Sequence, residues 1–277
     1  MSLSSIRRQT WLAAAFFTLL AVIFTWPLAI RLTLNVVGWP GDNYYFVWLV
    51  GWFQKVLDQG TPLLSIPQLN YPEGWNLAYN EITPAMALLA LPGSWLSGPV
   101  FGYNVSILVS FILSGLGVFW WVRRLTGNFV SGLLAGAAFS FAPYRMAHLY
   151  GHLNLMGTQW LPLFFMTFTD LLQAQRSTWR TIGLPVLFLA LIAATSQYYL
   201  YMTLLLSLVY VAGYLVLVER QRISDRKLWS RLALFVALAL PLAAAFVWPY
   251  LRLAIQNGLP PRSLDEVRLW SASPTDF

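Results

Sequence analysis

The residue pattern predicts an all-α, polytopic membrane protein with about seven transmembrane helices and interfacial helices in a long first outer loop. Hydrophobic residues fill 58% of the 277 positions and charged residues only 10%, against ~25% charged in ordinary soluble domains. Stretches free of charge, long enough to lie in a bilayer, recur along the chain. The 14 Trp, 13 Tyr and 18 Phe supply the rings that favour the membrane–water boundary. Cysteine is absent, which excludes disulfides and thiolate-held metals.

The apolar runs fall at about 11–30, 102–122, 129–143, 158–172, 181–197, 199–218 and 232–250. The first is preceded by Arg7 and Arg8. It is longer than a usual signal core and lacks a small-x-small cleavage site before Trp26-Pro27, so an uncleaved first helix is expected. With the N-terminus inside, Arg7, Arg8, Arg123, Arg124, Arg176, Arg180 and the basic residues of 220–231 all fall in the cytoplasm. That is 11 of the 17 basic residues, the bias of cytoplasmic loops. Seven of the 10 acidic residues, Asp42, Asp58, Glu73, Glu81, Asp265, Glu266 and Asp276, then lie outside. The net charge of +7 is thus an orientation signal, and no nucleic-acid partner is expected.

Residues 31–99 form the first outer loop, and long loops in compact proteins are usually functional. Within it, Phe46, Leu49, Val50, Phe53, Val56 and Leu57 recur at helical spacing, predicting a helix from Asp42 to Gln59. Asp42 suits its N-cap and Gly60 its stop. Trp48 and Trp52 would lay the helix along the headgroup plane. Pro72-Glu73-Gly74 marks a tight turn. Residues 84–97 are apolar but short and hold Pro92, so they are expected to lie at the interface or re-enter. Residues 129–143 are also short for a crossing.

Acidic side chains are scarce, which makes Asp42 the leading candidate for chemistry. It emerges just after the first crossing, in Gly41-Asp42-Asn43-Tyr44-Tyr45-Phe46. An N-cap role alone would also explain an aspartate there, at ~1 kcal/mol of helix stability. The next polar group follows the third run: Pro143-Tyr144-Arg145-Met146-Ala147-His148-Leu149-Tyr150-Gly151-His152-Leu153-Asn154, which contains both histidines of the chain. On a helix, His148 and His152 would share a face. A divalent metal would need a third ligand, such as Asp42 or Glu81; otherwise the imidazoles serve as hydrogen-bonding groups, and Gly151 argues against an unbroken helix. Arg145 is suited either to grip a phosphate or to reach lipid headgroups. Gln197, at the turn Thr195-Ser196-Gln197-Tyr198-Tyr199, needs a partner or a ligand. Tyr198 and Tyr199 read as ligand contacts or as rings of the interfacial belt.

In order, an inner Arg pair and a first span lead to an acidic residue in Gly41-Asp42-Asn43-Tyr44-Tyr45 and a large outer loop. A second span then ends in Arg123-Arg124-Leu125-Thr126-Gly127, and a third in Pro143-Tyr144-Arg145. Over nearly all of the chain this resembles the GT-C superfamily of integral-membrane glycosyltransferases, nearest the bacterial branches similar to protein O-mannosyltransferases, lipid A aminoarabinose transferases and YfhO-like membrane proteins. The resemblance implies transfer of a sugar from a polyprenyl-phosphate donor to a glycan, lipid or protein acceptor at the outer face of the bacterial plasma membrane. Asp42 would be the general base, with inversion at the anomeric carbon. Arg145, His148, His152, Glu81, Gln197 and Tyr198 would serve the donor phosphate and substrate. Many relatives carry a second acidic residue beside the first, where this chain has Asn43. Residues 1–250 would form the transmembrane domain. Residues 251–277 would form an outer segment that reads as unfinished, as though a further C-terminal part were missing. The alternative is a non-catalytic subunit of a larger complex on the same scaffold. A transporter fits less well, since neither internal repeats nor charges within the spans are found.

Overall fold

A computed structural model describes residues 3–38, 40–257, 263–271 and 273. The fold is mostly helical, and four helices are long and apolar enough to cross a membrane: Ser4–Phe24, Pro99–Thr126, Gln197–Val218 and Arg226–Asn257. Helix α1 (Leu3–Phe24) is followed by helix α2 (Asp42–Gln59), a two-stranded antiparallel ribbon of β1 (Ser65–Ile66) and β2 (Trp75–Asn76), and α3 (Pro84–Ser97). The bundle continues through α4 (Pro99–Thr126), α5 (Phe129–Ser140), α6 (Pro143–His148), α7 (Leu153–Met156), α8 (Trp160–Gln173), α9 (Trp179–Ala193) and α10 (Gln197–Gly213). A wider helical turn at Tyr214–Val218 extends α10, and α11 (Arg226–Asn257) and α12 (Leu264–Trp270) complete the described chain. Of the predicted closing segment 251–277, residues 258–262, 272 and 274–277, Asp276 among them, lie outside the described residues.

The ends of these helices follow from local chemistry. Gly60 and Gly127 adopt left-handed conformations (φ 66° and 69°) and close α2 and α4 through N–H bonds to Val56 and Arg123 carbonyls. The Asn128 side chain caps α5, and Thr178 with Thr181 forms a reciprocal capping box on α9. Gly74, at φ 77°, supplies the turn expected of Pro72-Glu73-Gly74.

The interior comprises three apolar clusters. One joins α2, α3, α4 and the α6–α7 segment, through Phe46, Leu49, Met86, Ile107 and Leu153. A second joins α8, α9, α10 and α11, and a third locks α1 to α4 and α5. In the third, the Phe17 ring occupies a notch between Gly115 and Gly136; a Cβ on Gly136 would stand 2.5 Å from that ring. Helices α3 and α4 approach equally closely, since a Cβ on Gly102 would meet the Ala90 carbonyl at 2.5 Å. Small residues that admit such approaches are the means by which helices pack within lipid. By contrast, α10 and α11 leave Leu205, Leu208, Val209, Leu238 and Leu240 exposed, the apolar surface that a bilayer covers.

Residues 84–97 do form a helix too short to span, yet it is no bare surface element. Met86, Ala87 and Ala90 are fully buried, and the Ala85 N–H donates to the Ala194 carbonyl at 2.9 Å. This bond fixes the segment between α1 and α4 against the α9–α10 turn, which sets one wall of the cavity described next.

Candidate functional site

Helix α2 begins at Asp42, as expected, but Asp42 does not cap it. The N-cap is Gly41, and the bonding is done by Asn43. Its amide oxygen accepts from Gly41 N–H (3.1 Å) and Tyr44 N–H (3.0 Å), while its NH₂ donates to the Val37 carbonyl at 3.2 Å. Asn43 is almost wholly buried; the Asp42 side chain is 72% exposed. The structural explanation for an aspartate at this position is therefore taken over by its neighbour. The carboxylate takes no part in the cap and stands exposed at a positively polarised helix start.

Asp42 opens onto a cavity of about 690 Å³. Tyr45 and Phe46, one turn further along α2, share its face and line the same space. The Tyr45 hydroxyl donates to the Glu81 carbonyl at 2.6 Å, and burial, with Tyr250 and Glu81 nearby, raises its pKa so that it stays a neutral donor. Glu81 itself lines the cavity, held by the segment that leads into Thr83, whose φ of 38° is strained for a β-branched residue. Burial pushes the Glu81 carboxyl above the ordinary carboxylate range, against the opposing effect of a hydrogen bond with Asn154. Asn154 is 4% exposed, and its amide oxygen, without a hydrogen-bond partner, is the sort of buried acceptor that a ligand hydroxyl satisfies.

The opposite wall comes from α6–α7 and the start of α10. The polar stretch at 143–154 is not one helix: α6 ends at His148 and α7 starts at Leu153, with Gly151 packed against Asp42 and Asn43. One helical bond survives the break, from His152 N–H to the His148 carbonyl at 3.0 Å, and it keeps the rings together. Their Nδ1 atoms lie 3.3 Å apart, and His152 Nε2 faces the Asp42 carboxylate at 3.8 Å. Partial burial, then the neighbouring His152, lowers the pKa of His148. His152 lines the cavity with Tyr198 and Tyr199; His148 stands behind it, edge-on to Tyr144. Among the described residues no three His, Asp or Glu side chains gather as a metal-ligand group. The two imidazoles turn the same nitrogen toward each other, and Asp42 meets His152 on its other one, so the three do not converge on one point.

Two expectations are corrected. Arg145 does not reach the cavity. It is 1% exposed, donates to Ser140 Oγ (3.3 Å), Ser110 Oγ (2.9 Å) and the Met156 carbonyl (2.9 Å), and lies over the Phe111 ring at 4.5 Å. It braces α6 and α7 against α4. Gln197 also turns away, donating to the Ala193 carbonyl at 3.2 Å and the Phe246 carbonyl at 3.5 Å. Of the residues singled out from sequence, Asp42, Glu81, His152 and Tyr198 share the cavity; Arg145, His148 and Gln197 are not in its lining. Asn154, Tyr144 and Tyr45 were missed, although Tyr45 stands three positions after Asp42 and was legible from helical spacing.

A mostly helical membrane protein with a carboxylate-bearing cavity at one end of the bundle is the class that this geometry defines. Within it, the chain belongs to the family described as a domain of unknown function, DUF6311, whose model matches residues 15–259. No curated protein and no solved structure matches the chain.

Proposed function

We propose that this protein is a GT-C-type membrane glycosyltransferase that moves a sugar from a polyprenyl-phosphate donor to a hydroxyl acceptor at the outer membrane face. The observation that carries this is the exposed Asp42 carboxylate at the head of α2, opening onto a cavity whose other polar groups suit sugar hydroxyls. In the reaction, the acceptor oxygen attacks the anomeric carbon and its proton passes to Asp42. The bond from that carbon to the phosphate oxygen breaks, and the lipid phosphate leaves with the electron pair, so configuration inverts. Asp42, exposed and beside an imidazole, is suited to the base role. Glu81 and Asn154 offer paired contacts to hydroxyls of the transferred sugar. Among the described lining residues His152 is the side chain able to carry positive charge; 3.8 Å from the Asp42 carboxylate, it stands on the side of the base and orients it, opposite the departing phosphate.

The apolar faces of α10 and α11 and the rings of Tyr198 and Tyr199 at the cavity edge give a prenyl chain a lipid-side approach. Asp42→Asn, with the protein in detergent and a prenyl-phosphate sugar supplied, is expected to reduce transfer by a factor on the order of 10²–10⁴ while leaving the fold intact, as for loss of a general base. Turnover equal to wild type would eliminate the assignment and leave the scaffold-subunit reading.

A further inference from the structure

A second cleft, of about 560 Å³, lies next to the Asp42 cavity and shares Tyr79 with it. Its floor includes the β1–β2 ribbon and its far wall the end of α11. Trp75 and Tyr79 both line this cleft with rings 5.1 Å apart, and both are partly exposed; Tyr79 alone of the two also reaches the Asp42 cavity. Their orientation is fixed by bonds away from the ring faces. The Trp75 indole N–H donates to Asn80 Oδ1 at 2.8 Å, and the Tyr79 hydroxyl accepts from Asn257 Nδ2 at 2.6 Å. Around these rings stand Glu73, Arg252 and Gln256, one carboxylate, one guanidinium and one amide. Glu73 and Arg252 form no ion pair among the described residues, although both face the same cleft.

We infer that this cleft is the acceptor subsite and that it takes a neutral oligosaccharide. This rests on the transferase reading, because an acceptor subsite presupposes transfer in the adjoining cavity, whichever group there is the base. The chemistry of the lining makes the choice among acceptors. Flat exposed rings cover the apolar C–H faces of sugars, and a carboxylate, a guanidinium and an amide side by side satisfy hydroxyls that both donate and accept. One positive and one negative side chain give no net charge to attract an anionic polymer. A lipid acceptor would want a continuous apolar wall, whereas this lining is mixed. Tyr79 as the common wall puts the terminal hydroxyl of a bound chain at the mouth of the Asp42 cavity, where the new glycosidic bond would form.

The test is direct binding, which needs no turnover. The full chain in detergent is screened on an array of neutral, acidic and lipid-linked glycans, and hits among soluble oligosaccharides are titrated by calorimetry. Neutral oligosaccharides are expected to bind. Trp75→Ala is expected to weaken them by about tenfold or more, the effect of truncating a ring anchor, with Trp75→Phe restoring most of the affinity and Glu73→Gln weakening it without touching the ring. The inference is overturned if wild type binds no neutral glycan, if only acidic or lipid-linked glycans bind, or if affinity ignores both Trp75→Ala and Glu73→Gln. Glycan binding alongside unimpaired transfer by Asp42→Asn would sink the assignment of the base and leave the subsite standing; loss of transfer without glycan binding would do the reverse.

Discussion

Arg145 and Glu81 are both polar groups beneath the surface, but the fold uses them differently. The Arg145 guanidinium has three hydrogen-bond acceptors and a ring face around it, and no carboxylate in contact among the described residues. Exchanging such a buried charge for an apolar side chain of similar volume is often neutral or stabilising, whereas truncating it opens a void. Arg145→Ala is therefore expected to cost about 2–4 kcal/mol in detergent unfolding, the range for truncation of a large buried side chain. Arg145→Met should cost far less, and neither should change affinity for a prenyl phosphate in the folded protein. A loss of that affinity in both variants would restore the phosphate-gripping role. Glu81 carries a pH dependence of definite sign. Burial raises its carboxyl in the folded state, so the native protein holds that proton more tightly than the unfolded chain does. Its contribution is fully present below the ordinary carboxylate value and is lost as pH rises from there through the raised folded value. Thermal unfolding followed against pH should show that decline in the wild type and a flatter profile in Glu81→Gln; identical profiles would mean that the carboxyl is not held in a buried site.

Among the elements, the glycine-mediated contacts are the most sensitive joints. A methyl group at Gly102 would fall 2.5 Å from the Ala90 carbonyl, a backbone atom that cannot swing aside, so α3 and α4 would have to separate. Gly102→Ala is expected to destabilise by about 1–3 kcal/mol, as overpacking does, read as a lower unfolding midpoint in detergent. Gly60→Ala, which meets nothing within 4 Å, should show only the milder cost of an unfavourable left-handed conformation. Equal effects would deny that close packing matters at Gly102. Contacts of this kind also explain how far the sequence could be read. The helix Asp42–Gln59, its glycine stop and the short helix at 84–97 were legible, because apolar spacing and caps are local signals. The buried Asn43 side chain that ties the helix start to the preceding loop was not, since its decisive bond runs back to Val37 in an irregular loop. Arg145 was misplaced for a related reason. Its position next to a helix end looks exposed in one dimension, and only the packing of α4 against α7 encloses it. The cavity was half legible: the polar stretches were visible, but which side chains turn inward depends on the break between α6 and α7.

For the whole molecule, the quantity to measure is the number of crossings, because four helices among the described residues have full spanning length. At 12 residues, α5 is about 18 Å long against a hydrocarbon core of about 30 Å. Counting only the long helices, with the N-terminus inside, would leave Asp42 outside and put His152 and Tyr198 on the inner side. Yet Asp42, His152 and Tyr198 line one cavity, and the Ile82 N–H donates to the Tyr250 hydroxyl near the end of α11 at 3.0 Å. These proximities are the ones that a seven-crossing arrangement would give; α5, α8 and α9 would then also traverse, their short lengths met by local thinning of the bilayer around helices packed in the bundle. The absence of cysteine makes the count measurable with single introduced thiols and a membrane-impermeant maleimide on intact cells. Both counts place Glu73→Cys outside and Arg176→Cys inside, so these two serve as references. The counts part at Tyr150→Cys, Lys227→Cys and Asp265→Cys. Seven crossings expect labelling at 150 and 265 and protection at 227 until the cells are opened; four crossings expect the reverse at all three. Labelling at 227 with protection at 150 would place Asp42 and His152 on opposite sides of the membrane, and the proposed active site could not exist.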